Sequence, residues 1–140
     1  VPRSFAGFVR KRILEIDAEY ERRLGIGFPL VIAGEPILFE DEPETLQLAT
    51  QEHVTRWLVL LDIFNEAVAA GGGGLSVPTG LRATSNRSYP ATYSQAAVTL
   101  RAMRTWAVNA QLNWSRLKDL ARAVERREDL EDIDISQGWP

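Results

Sequence analysis

The chain has 140 residues, 45% hydrophobic and 25% charged, the composition of an ordinary globular domain and the length of one. No cysteine is present, which excludes disulfides, thiolate zinc sites and thiol nucleophiles, and the single histidine, His53, leaves histidine-based metal sites and proton relays without parts. The net charge of −3 supplies no basic field for nucleic acid or an anionic membrane surface, and the longest apolar run, Trp57 to Leu61, falls far short of the roughly 20 residues that span a bilayer. The first residues carry no signal-peptide pattern, so a soluble protein made in a cytoplasm is expected.

Ser4 caps a first predicted helix running to about Arg23, where Phe5, Phe8, Val9, Ile13, Ile16 and Tyr20 recur at steps of three and four. Gly25 and Gly27 stop it. The alternation from Phe28 to Phe39, with a turn at Ala33-Gly34-Glu35-Pro36, predicts a hairpin, in which Pro29 and Pro36 belong at strand ends or on an edge. The acidic stretch Glu40 to Glu44 leads into a second helix predicted from about Thr45 to Ala70, its stripe including His53, Trp57, Leu60 and Phe64. Gly71 to Gly74 must break that helix. A second, irregular hairpin is predicted from Leu75 to Tyr93, turning near Asn86-Arg87-Ser88.

The third helix is predicted from a Ser94 cap to about Arg127. Leu100, Met103, Ala107, Ala110, Trp114, Leu117, Ala121 and Val124 repeat in the rhythm of a coiled-coil seam, and Val98, Ala102 and Trp106 form a second apolar set beside it. At about 1.5 Å per residue, such a helix exceeds what a compact domain of this size needs, so part of it is expected to project and meet a neighbouring chain, the alternative being a long antiparallel packing within one subunit. Leu100, Met103, Trp106, Ala107, Ala110, Trp114, Leu117 and Ala121 are the expected interface residues, in a dimer or a trimer. The segment 128–140 is expected to fold back on the body through Leu130, Ile133 and Trp139. The whole reads as one domain over 1–140, α+β and mostly helical, with three main helices, the third long, and two small β-hairpins.

Constellations that would carry chemistry are incomplete. The glycine run lacks the lysine and hydroxyl of a phosphate loop, since Leu75-Ser76-Val77 follows it. Asp132, Asp134, Ser136 and Gly138 echo a calcium loop, but the glycine stands one place late and the bidentate glutamate is missing. His53 has no second ligand one turn away, which favours a buried histidine bonded to backbone. Arg3, Arg10, Lys11 and Arg12 are followed by Glu15, Asp17, Glu19 and Glu21, which suits a charged helix face better than a nucleic-acid arm. No catalytic residue, metal or cofactor is expected.

The order of parts resembles a domain-of-unknown-function family (family 4376) of phage and prophage tail proteins, especially tail-fibre proteins. The resemblance spans about residues 11 to 140. It is carried by Gly27-Phe28…Ala33-Gly34…Phe39, Leu81-Arg82-Ala83-Thr84-Ser85-Asn86, Leu117-Lys118-Asp119 and the ending Leu130…Ile133-Asp134…Gly138-Trp139-Pro140. Family members often have tryptophan where this chain has Leu81. The resemblance implies a non-enzymatic virion component of a tail, baseplate or fibre, acting as a protein–protein adaptor on other tail or fibre proteins, with no nucleic-acid or membrane partner. The alternatives are a fibre-assembly chaperone and a prophage-encoded regulator that binds another protein.

Overall fold

The computed structural model describes residues 4–140 and is α+β and mostly helical. Its elements are α1 (Phe5–Ile26), six two-residue strands β1 (Phe28–Pro29), β2 (Val31–Ile32), β3 (Glu35–Pro36), β4 (Leu38–Phe39), β5 (Glu42–Pro43) and β6 (Thr45–Leu46), then α2 (Gln51–Ala69), β7 (Leu81–Arg82), β8 (Ser88–Tyr89), α3 (Tyr93–Ala123) and α4 (Arg127–Glu131). The described residues divide into two compact units: one of residues 4–23 with 106–140, the other of residues 24–105.

The unit of residues 24–105 opens with a compact motif in place of the single hairpin expected over 28–39. β2 pairs with β3, β4 with β5, and β1 with β6, each antiparallel over two residues. The three ladders join at their bases. Leu30 N–H donates to the Glu44 carbonyl, Ile37 N–H to that of Leu30, and Glu44 N–H to that of Ile37, each at 2.9 Å, which closes a ring. Residues 30, 37 and 44 stand seven apart, and each follows a proline: Pro29, Pro36 and Pro43. Turns at Ala33-Gly34 and Glu40-Asp41 place all four residues at positive φ, the geometry that suits two-residue hairpins. The acidic stretch is therefore the second leaf of this clover rather than a lead into a helix, and α2 begins at Gln51, six residues later than expected.

Thr50 caps α2 by accepting the His53 N–H at 3.3 Å. Trp57, Leu61 and Phe64 are its buried face. Gly71, at φ +87°, turns the chain out of the helix. Gly73 then lies against the start of α3, its carbonyl accepting Ser94 N–H at 3.0 Å, and a Cβ on Gly73 would fall 2.3 Å from Ser94 Oγ. The glycine run thus permits a close approach of backbone within the unit. The cap of α3 is Thr92, not Ser94: Thr92 Oγ1 accepts Gln95 N–H at 3.2 Å and Gln95 Oε1 accepts Thr92 N–H at 3.0 Å, a reciprocal capping box. The core here consists of Leu30, Ile32, Leu46, Leu48, Trp57, Leu61, Phe64, Leu81, Leu100 and Met103. Thr99 fastens the clover to α3 by donating from Oγ1 to the Val31 carbonyl at 2.6 Å.

The other unit is built from α1, the second part of α3, α4 and the tail. Ile16, Leu117, Ala121 and Leu130 are its buried centre, with Phe8, Val9, Ile13, Trp114, Val124, Ile133, Ile135 and Trp139 packed around them. Burying a leucine such as Leu117 contributes about 1.5–3 kcal/mol relative to exposure. α3 ends at Ala123, short of the expected Arg127, so that Val124 and Leu130 can turn onto this cluster.

Candidate functional site

The tail that carries the sequence resemblance is a folded anchor. The Arg12 guanidinium donates to the Ile133 carbonyl, Asn113 Nδ2 to that of Gln137 at 3.0 Å, and Trp139 Nε1 to that of Ile135 at 2.8 Å. Tyr20 stacks with two indoles, its ring centroid 4.8 Å from Trp114 and 6.1 Å from Trp139. Asp17 accepts Trp114 Nε1–H at 2.7 Å and pairs with Lys118 at 3.5 Å, while the Lys118 ammonium sits 4.2 Å from the Trp114 ring centre. Glu19 holds Arg22 and Arg23, and the bond from Arg22 is the largest influence lowering its pKa to about 2. Arg23 in turn reaches the Ser136 carbonyl at 3.3 Å. Gly138 turns at φ +85°, and a Cβ there would fall 2.3 Å from Asn113 Oδ1. Isoleucine, glycine and tryptophan of the ending are thus explained by packing and backbone geometry. Asp134, once a possible cation ligand by spacing, instead accepts the Ser136 N–H and hydroxyl.

The eight expected interface residues fall into two groups. Leu100, Met103, Ala110, Leu117 and Ala121 are at most 1% exposed, sealed by this chain itself. Trp106, Ala107 and Trp114 are half-buried. The seam is accordingly an internal packing face. A heptad rhythm reports that a helix has a facing partner, and it does not report whether that partner is the same chain. The uncovered apolar side chains of α3 lie on its other face, which they share with the exposed polar residues Thr105, Asn109, Arg116 and Asp119. Val98 and Leu112 are 61% and 62% exposed, and Ala102, Ala123 and the adjacent Val108 and Leu120 are exposed as well.

The other candidate is a groove within the unit of residues 24–105, about 630 Å³ in volume. Its walls are α2, through Arg56, Trp57, Leu60 and Ile63, and the segment from Val77 through β7, which ends in Arg82. The lining contains two arginines, His53 and no carboxylate. His53 is half-buried rather than buried, and its ring bonds the Thr50 hydroxyl at 2.7 Å rather than backbone. The groove escaped sequence reading because its two walls lie about twenty residues apart and meet only through tertiary packing. The surviving sequence signal was Ile63, an apolar residue on α2 beyond the stripe that fills the core.

Nearby, Glu44 is a buried acid with two short bonds, accepting the Ser85 and Tyr89 hydroxyls at 2.6 Å each. These bonds, helped by the charge of Arg87, hold its pKa below the ordinary glutamate range, and the same contact raises that of Tyr89. The group joins the clover to the β7–β8 hairpin. Among the described residues, no three histidine, aspartate or glutamate side chains converge as a metal site, and no helix is long and apolar enough to cross a membrane. Comparison with protein-family models, with curated proteins and with solved structures found no match.

Proposed function

We propose that this chain is a non-enzymatic virion component, an adaptor in a phage tail, baseplate or tail-fibre complex, and that it self-associates as a dimer or trimer through the outer stripe of α3. The virion assignment rests on the sequence resemblance. The adaptor role rests on one observation: the second part of α3 seals its inner face within the chain and leaves Leu112 and Leu120 exposed on its outer face. Large apolar side chains grouped on one face of a helix gain most by meeting another such face.

Mass spectrometry of purified particles should find the chain at stoichiometric copy number. Its presence only in infected cells would replace the structural role with that of an assembly chaperone. In solution, the mass should correspond to two or three copies, and Leu112→Asp combined with Leu120→Asp should reduce it without unfolding the chain, because neither residue belongs to the core. A wild-type protein that is monomeric at high concentration and absent from particles overturns the reading.

A further inference from the structure

The second leaf of the clover is the chemical complement of the groove. On β4, Leu38 is 54% exposed and Phe39 36%, and the turn and β5 beside them expose Glu40, Asp41 and Glu42. Among the described residues, no cation pairs with these three carboxylates. The two-residue turn of the leaf holds Glu40 and Asp41 at positive φ, and the Arg87 guanidinium lies over the Phe39 ring at 3.3 Å from its centre. The groove offers the converse, an apolar wall of Trp57, Leu60 and Ile63 on α2 beside Arg56 and Arg82. Arg56 meets only Glu52, at 3.7 Å on an exposed surface where such a pair contributes little, and Arg82 bonds the neutral Asn86.

We propose that the β4–β5 leaf of one copy seats in the groove of a second copy, with Leu38 on the apolar wall and Glu40 and Glu42 facing Arg56 and Arg82. The occupant is a second copy because this chain itself carries the required pairing, apolar residues next to unpaired acids against apolar residues next to arginines. Two different patches meet, so the contact is made by exchange in a two-fold pair or runs head to tail into a ring or filament. It is separate from the outer stripe of α3 and does not depend on the tail assignment.

Charge reversal with complementation tests the proposal. One variant carries Arg56→Glu and Arg82→Glu, the other Glu40→Lys and Glu42→Lys, all in a chain already bearing Leu112→Asp and Leu120→Asp so that only this contact is read. Sedimentation across a range of concentrations should show that each variant alone loses about tenfold or more in association constant. The equimolar mixture should regain it, because each reversed patch then meets an opposite one. If Arg82→Glu disturbs the hairpin that Arg82 braces, Arg56→Glu mixed with Glu42→Lys performs the same test. A mixture no more associated than its parts overturns the proposal. So does a parent chain that stays monomeric while its groove binds an added acidic, leucine-bearing peptide, which would assign the groove to a foreign partner.

Discussion

Buried acids usually report either chemistry or architecture, and the neighbours of Glu44 decide which. Its two short bonds come from the hydroxyls of Ser85 and Tyr89, both on the segment that carries β7 and β8, so they tie that segment to the clover. The carboxylate is therefore a clasp, and it makes stability depend on pH at both ends. The folded-state pKa of Glu44 lies below its unfolded value, so the clasp contributes fully above the ordinary glutamate range and is lost as pH falls through the lowered value. The Tyr89 pKa is raised by the same contact, so that contribution is present below the ordinary tyrosine range and is lost as pH rises through the raised value. Urea unfolding as a function of pH should show Glu44→Gln less stable than wild type near neutrality, with the gap closing toward both extremes. A gap that is constant with pH would mean that the carboxylate's charge does not hold the clasp.

The clover is the element that propensity reasoning reaches least. Its strands are two residues long, too short to display alternation, and Pro29, Pro36 and Pro43 argue against strands wherever they are weighed singly. Taken together they are the signal, because Leu30 to Pro36 and Ile37 to Pro43 form a seven-residue repeat in which Glu-Pro closes each unit. The long helices were legible because their apolar steps repeat over many turns; what spacing could not supply was the owner of the facing surface, hence the seam on α3 that proved internal. The groove was illegible for the related reason that Trp57 and Leu81 share no local pattern. Two glycines measure how tightly the clover closes. Gly27 has φ +84°, and a Cβ there would lie 2.7 Å from the Leu46 carbonyl oxygen, whereas Gly34 has φ +78° with open space around it. Gly34→Ala should cost about 1 kcal/mol from backbone strain alone. Gly27→Ala should cost more, because a backbone carbonyl cannot give way as a side chain can. Equal losses in chemical denaturation would show that the β1–β6 closure has slack.

For the molecule as a whole, the net charge of −3 conceals two surfaces of different character. The outer face of α3 exposes Leu112 and Leu120 among polar residues, whereas the leaf and the groove present carboxylates and arginines beside apolar ones. Solvent conditions should separate them. Exposed ion pairs are screened over a Debye length of about 10 Å at 0.1 M salt, shrinking to about 3 Å at 1 M, while apolar association is insensitive to such screening and strengthens in sulfate. A chain with Leu112→Asp and Leu120→Asp retains only the leaf and groove, so its residual association should fall as sodium chloride rises across that range. A chain with Arg56→Glu retains the stripe, and its association should hold in chloride and increase in ammonium sulfate. Wild type, having both, should pass with rising chloride from larger assemblies to the dimer or trimer of α3 rather than directly to monomer. If a single surface governs assembly, one variant will be monomeric at every salt concentration and the other will reproduce the wild-type response, which identifies the surface.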